Sequence, residues 1–378
     1  MPSTIIALGT ALPETIVNQK DALTLARDLC CKTERQGRVL EQVYLKSGVQ
    51  TRSTVLQTDI ELTRTTNFFQ PPDTTYDTGP STAERMALYE QQAGPLASSA
   101  CKAALEEAAV SAQQITHLVT VSCTGFFAPG FDLHLFKTLS LNPSVKRTHI
   151  GFMGCHGALN ALRVANGFCA EDPNNVVLIC ATELCSMHFQ YGWSREIMVS
   201  NALFADGSAA LILTGAQSQQ KQQTSRSAAG SEQKLNCEHL TYAHAASYVV
   251  PETHETMSWR IGNNGFVMSL ASNVPEIIET NLPPFMANWL DRNDLSIDEI
   301  NGWAVHPGGP RILDAVSESI GLKPDALSAS RQILAECGNM SSPTVLFILK
   351  RLLSEATKPP FVVLGFGPGL TIEAALIR

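Results

Sequence analysis

The chain is 378 residues long, 44% apolar and 16% charged, with a formal net charge of −8. That length can bury a large core or two similar ones, and no run of 18 uncharged apolar residues offers a bilayer span. The acidic balance, without clustered Lys and Arg, excludes a nucleic-acid surface; an anionic ligand would need a local basic patch.

From the N-terminus, "TIIALG" predicts a first core strand rather than a signal peptide, so a cytoplasmic protein without stable membrane insertion is expected. Ten cysteines are too sparse for a disulfide scaffold and are expected as free thiols. With no CxxC or paired histidines, no metal site is expected. The short apolar runs "HLVTVSC", "VVLICAT", "AALILTG", "GWAVH" and "FVVLGF" predict strands covered on both faces. Helical stretches such as "LASSACKAALEEAAV" and "SPTVLFILKRLLSEA" alternate with them, giving a layered α/β architecture. The Gln- and Ser-rich stretch 215–234 cannot pack a core and predicts an exposed loop.

An internal echo organises this pattern. "LSIDEINGWAVH" at Leu295 repeats the design of "VSAQQITHLVTV" at Val110, 185 residues on, and the same offset carries Val176 onto Phe361. Two duplicated halves are predicted, residues 1–214 and 235–378, joined by the polar loop.

Chemistry concentrates at three places. In "GFMGCHGALN", a strand runs into Gly154 and a helix starts near Cys155. The unpaired N–H groups and dipole of a helix start favour a thiolate and predict a lowered thiol pKa, and the flanking glycines permit a sharp turn. The alternative is a buried structural thiol. The 185-residue offset carries Gly154 onto Asn339 in "CGNMSSPTVLFILK", a hydrogen-bond donor whose bland reading is a helix N-cap. In "WAVHPGGP", His306 ends an apolar strand, where ligand groups project in α/β sheets, and its imidazole can take a thiol proton. His156 is the weaker base, since adjacent helical residues point about 100° apart. A Cys, His and Asn set suits a cysteine hydrolase or a thioester-condensing enzyme.

The motifs resemble the type III polyketide synthases, the chalcone and stilbene synthase family of thiolase-fold enzymes. The resemblance rests on "GCHGALNALR" at 154–163, "ELCSMHFQ" at 183–190, "NALFADGSAALIL" at 201–213, "HPGGPRILD" at 306–314, "GNMSSPTVLFIL" at 338–349 and "GFGPGLTIE" at 365–373. It implies a layered αβαβα fold and a homodimer without metal or redox cofactor. It also implies iterative condensation of malonyl-CoA onto an acyl-CoA starter held on Cys155, with His306 and Asn339 stabilising the enolate. Phe204 matches the family's aromatic gate. Gly367 and Pro368 would shape the reaction chamber, and Cys123, Thr124, Glu183 and Ser341 match positions tied to cyclisation choice.

Several residues depart from the plant pattern: Cys185 and His188 replace threonines, Met268 a second gatekeeping phenylalanine, and Ala128 a methionine that reaches the neighbouring subunit. "ELCS" is similar to bacterial members that take long fatty acyl starters, which points to alkylpyrone or alkylresorcinol products. Of the cations expected to hold CoA phosphates, Lys46 matches while Val39 and Gln42 do not, leaving Arg52 or Arg311 to compensate. The rivals are a ketoacyl synthase making one extension on an acyl carrier protein, a cysteine hydrolase, and a non-catalytic binding protein of the same fold.

Overall fold

Residues 3–56, 68–72, 77–218 and 240–378 are described by the computed structural model. The expected loop over 215–234 lies outside them beyond Ser218. The strands, in chain order, are β1 (Ser3–Ala11), β2 (Thr15–Asn18), β3 (Thr51–Thr54), β4 (His117–Ser122), β5 (Lys146–Gly151), β6 (Val176–Leu184) and β7 (Asp206–Thr214). There follow β8 (Leu240–Val249), β9 (Met257–Gly262), β10 (Gly265–Leu270), β11 (Gly302–Val305), β12 (Phe361–Gly367) and β13 (Thr371–Ile377). Strands β2 with β3 and β9 with β10 form two small antiparallel pairs; the rest join in one mixed sheet ordered β11-β12-β13-β8-β1-β7-β6-β4-β5.

That order mirrors itself about the β1–β8 contact. Outward from β1 run β7, β6 and β4, and outward from β8 run β13, β12 and β11, with β6/β4 and β12/β11 parallel and the other pairs antiparallel. Strand β11 starts 185 residues after β4, and β12 starts 185 after β6. The offset fails at β13, because only residues 368–370 connect β12 to β13, whereas a short turn and the helix Arg195–Leu203 separate β6 from β7.

Both faces of β4, β6, β7, β11 and β12 are covered, which is why they read as continuous apolar runs, whereas β5 at the sheet edge is largely exposed. Val177, Ile179 and Ala181 face a central core, while Val176, Leu178 and Cys180 face an outer one. The central core is built on the helices Gly157–Glu171 and Thr344–Ser354, packed between the inner faces of the two half-sheets. Helix Thr82–Ala108 covers the outside of the first half and Val274–Asp291 the outside of the second. The layers are therefore α, β, α, β, α. Among the described residues no helix is long and apolar enough to cross a membrane.

Helix Thr82–Ala108 starts on a reciprocal cap, Ser81 with Glu84. It lays an alanine face, Ala93, Ala97, Ala100, Ala104 and Ala108, against the sheet. This permits a close approach to β1 at Gly9, where a Cβ would stand 2.3 Å from the Ala100 carbonyl oxygen and 2.4 Å from the Ala104 nitrogen. Both obstacles are backbone, so Gly9→Ala should cost about 3 kcal/mol in chemical denaturation; an unchanged midpoint would show that the helix moves aside freely.

Candidate active site

Strand β5 ends at Gly151, and the chain turns through Gly154, whose φ of +71° suits glycine. A Cβ there would also meet Pro368 Cδ at 2.5 Å. Cys155 sits in one tight turn, Gly154–His156, immediately before the helix Gly157–Glu171, as the sequence pattern predicts. It is half-buried.

Ser341 is the partner of Cys155. Its hydroxyl donates to Cys155 Sγ at 3.6 Å and lies 3.4 Å from Cys123 Sγ. Ser341 holds φ +59°, an uncommon conformation for a residue with a side chain, and its N–H donates to Asn339 Oδ1 at 2.8 Å. That bond fixes the carboxamide: the oxygen accepts, so the NH2 group is the end presented elsewhere. The main chain of Asn339 is tied to the segment beneath it, donating to the Leu203 carbonyl and accepting from Ala205 N–H, both at 2.9 Å. Asn339 is not a helix cap; the helix Thr344–Ser354 begins at Pro343 without a side-chain cap.

His306 follows β11, its N–H bonded to the Leu364 carbonyl of β12 at 2.8 Å. The ring is 1% exposed, and neither nitrogen has a hydrogen-bond partner among the described residues. Burial pushes His306 down to about 3, with His156 adding to the effect. Burial likewise pushes the Cys155 thiol up to about 12, against a smaller lowering by the Ser341 hydrogen bond. Where the helix start predicts a lowered pKa, loss of hydration raises it instead.

His156 is scaffold in the sense expected. Its Nδ1 is 2.8 Å from Asn160 Oδ1, and its ring lies on β12, where a Cβ at Gly367 would come within 2.1 Å of Cδ2. Gly367 and Pro368 thus pack on the cysteine turn. Glu183, fully buried, accepts from Ser342 Oγ (2.6 Å), Thr124 Oγ1 (2.7 Å) and the Cys123 N–H (2.9 Å). Burial raises its pKa, opposed by those bonds. His188 accepts from Phe266 N–H at Nδ1 (3.0 Å), so its Nε2 carries the proton donated to the Thr124 carbonyl (2.6 Å). Burial holds it neutral, down to about 3.

Two cavities lie nearby, the first touching this network at His188; Cys155, His306, Asn339 and Ser341 line neither. One, of about 440 Å3, is lined by Cys185, His188, Phe204, Trp259, Phe266 and Met268 and reaches Lys20, Thr24 and Leu25 of the helix Gln19–Cys30. The other, of about 670 Å3, carries Arg35, Arg38, Lys46, Arg195 and Arg311 with one carboxylate, Glu196. The segment 199–204 lies between them: Ser200, Asn201 and Phe204 line the first, and Val199, Ala202 and Leu203 the second.

Arg52 is not among those cations, which corrects the expectation for it. It is buried, donating to the carbonyls of Asn201 (2.9 Å), Phe204 (2.8 Å) and Ala202 (2.6 Å) and to Gln19 Oε1, so its charge braces the wall. Arg35, Arg38 and Arg195 escaped the sequence reading. A helical projection of Glu34–Leu45 would have found the first two, since 35, 38, 39, 42 and 46 share one face. Trp259, whose indole N–H donates to the Cys123 carbonyl at 2.6 Å, left no local signal.

The model for the N-terminal domain of chalcone and stilbene synthases matches residues 1–217, and that for the C-terminal domain residues 241–378. An alpha-pyrone synthesis polyketide synthase-like protein of Mycobacterium tuberculosis is 31% identical, over 99% of this chain and 92% of the relative. A 1,3,6,8-tetrahydroxynaphthalene synthase of Streptomyces peucetius is 29% identical, over 100% and 93%. The crystal structure of PKS-I from the brown alga Ectocarpus siliculosus superposes with a TM-score of 0.88 at 31% identity, covering 100% of this chain and 98% of that one.

The Ser341 hydroxyl matters most when Cys155 carries charge. A hydrogen bond to an ionised group is worth roughly 1.5–3 kcal/mol. Ser341→Ala should therefore slow iodoacetamide modification of Cys155 at neutral pH about tenfold or more, followed by mass analysis of its peptide; an unchanged rate would mean that the contact does not favour the thiolate.

Proposed function

Because the chain belongs to the chalcone and stilbene synthase family of type III polyketide synthases, we propose that Cys155 holds an acyl starter as a thioester and that malonyl-CoA extends it there by repeated decarboxylative condensation. Enzymes of this family act on CoA thioesters and need no cofactor. The observations that support the reading are the chain Cys155–Ser341–Asn339 and, at the end of β11, a buried His306 whose ring nitrogens have no hydrogen-bond partner among the described residues.

In the first step the Cys155 proton passes to His306, and the thiolate attacks the starter's thioester carbonyl and expels the CoA thiolate, which takes up a proton from solvent and leaves His306 protonated. Malonyl-CoA then loses CO2, leaving its electron pair on an enolate. The protonated imidazole and the Asn339 NH2 group donate to the enolate oxygen; losing one such donor typically costs roughly 3–4 kcal/mol. The enolate carbon attacks the Cys155 thioester and releases the thiolate for another round.

The basic cavity would hold the CoA phosphates through Lys46 and Arg311, with Arg35, Arg38 and Arg195 standing in for the cations absent at Val39 and Gln42. Phe204 would gate passage across the wall, and the 440 Å3 cavity would take the acyl chain, with Cys185 and Met268 leaving room that bulkier residues would close. That shape, and the alpha-pyrone relative, support fatty acyl starters and alkylpyrone or alkylresorcinol products. Glu183, Thr124, Cys123 and Ser341 would bias cyclisation. We read the enzyme as cytoplasmic and homodimeric, with exposed Phe126, Phe152 and Met153 beside the cysteine turn as a partner surface. Residues 1–214 and 235–378 are assigned as the halves of a duplication.

Incubation with malonyl-CoA and long-chain acyl-CoA should release CO2 and CoA and give a pyrone or resorcinol by mass spectrometry. Hydrolysis alone, or turnover only with carrier-bound malonate, would overturn the assignment. Cys185→Phe should shorten the preferred starter in a chain-length series; an unchanged preference would remove the acyl chain from this cavity.

A further inference from the structure

Among the described residues nothing hydrogen-bonds to the His306 ring. His306 N–H is bonded to Leu364 near the end of β12, and His156 packs on Gly365 and Gly367 of the same strand end, so the two histidines meet the same stretch of β12 and the charge of His156 bears on His306. His156 is not free. Its Nδ1 meets Asn160 Oδ1 at 2.8 Å, Asn160 Nδ2 donates to Glu373 Oε1 at 3.0 Å, and Arg163 Nη1 donates to Glu373 Oε2 at 2.9 Å. Ser247 Oγ also donates to Glu373, at 2.8 Å. His156, Asn160 and Glu373 are buried, whereas Arg163 reaches solvent.

This chain has a direction. A carboxylate only accepts, so Asn160 must turn its NH2 group to Glu373 and its oxygen to His156. His156 Nδ1 must then carry a proton, which leaves Nε2 as the site where a second proton adds, on the side facing Gly367. The groups that bear on the ring are Asn160 and Arg163 from its own helix, Glu373 from β13, and His306 from beyond β12. Tyr242 of β8 shares the field of Arg163 and Glu373. Burial lowers the pKa of His156, while Asn160 and Glu373 act to raise it.

We propose that His156, held by Asn160 and Glu373, is a positioning residue that sets the acidic limit at which His306 can take the Cys155 proton. Neutral His156 leaves the imidazolium of His306 unopposed; protonated at Nε2 by solvent protons, it adds a second cation at the same end of β12. This rests on the assignment of His306 as the base. It also gives a reason for burying a carboxylate and a carboxamide behind His156.

The test is the pH profile of Cys155 alkylation by iodoacetamide in the intact protein, followed by peptide mass analysis between about pH 4.5 and 8. Glu373→Gln removes a negative charge, so His156 protonates at lower pH and the acidic limb should move down by roughly half a pH unit. Arg163→Gln, a change at a solvent-reaching side chain, removes a positive charge and should move the limb up by about as much. At one fixed acidic pH the two variants should differ from wild type by roughly threefold in opposite senses. In a His156→Gln background neither substitution should move the limb. Limbs that stay in place, or move in the same sense, would overturn the proposal, because loosened packing has no reason to obey the sign of the charge. His306→Gln separates the two failures: a neutral-pH rate equal to wild type would overturn the base assignment itself.

Discussion

The constraint behind this site is that a charge must form where burial disfavours any charge. Cys155 is pushed up to about 12 and His306 down to about 3 by loss of hydration. Neither group ionises well alone at neutral pH. On the function proposed above, the proton moves from one to the other, which creates both charges together, and their attraction strengthens as the surroundings become less polar. On that reading the remaining features serve the event. Ser341 supplies a donor to sulfur, Asn339 holds its oxygen to the Ser341 N–H, and among the described residues no acceptor competes for the His306 ring.

Such a set must be held to a fraction of an ångström, and the fold does this by making the site from both halves. The cysteine turn comes from the first half, between β5 and the helix Gly157–Glu171. His306, Asn339, Ser341 and residues 365–368 come from the second. The two meet through glycines with no room to spare: Gly154 faces Pro368, Gly365 faces Leu159, and Gly367 faces the His156 ring. A shift of either half moves the donors away from the sulfur, so the central packing and the chemistry cannot be adjusted separately.

Much of this was legible because its causes are local. Strands β4, β6, β7, β11 and β12 are buried on both faces and announce themselves as apolar runs. Glycine, cysteine and histidine at strand and helix ends carried the position of the turn. What stayed hidden depends on distant partners. Trp259 reaches Cys123 from the hairpin β9–β10, 136 residues away. Arg52 looks like any cation until the carbonyls of 201, 202 and 204 surround it. The thiol's pKa was misjudged for the same reason, since a helix start is visible in sequence but the degree of burial is not.

The wall at 199–204 shows how one helix serves two environments. Its side chains divide between a cavity lined with sulfur and aromatic rings, which takes Ser200, Asn201 and Phe204, and one carrying five cations, which takes Val199, Ala202 and Leu203. The formal charge of −8 therefore conceals a concentrated positive site, and that site is kept apart from the first cavity by the segment 199–204. Arg52 ties the carbonyls at the end of this helix from within, satisfying groups that the helix terminus leaves open. On the function proposed above, a polyanionic carrier stays on the basic side while its acyl group crosses at Phe204. The wall then keeps the phosphates' charge away from the Cys155–His306 pair, whose balance any nearby charge would upset.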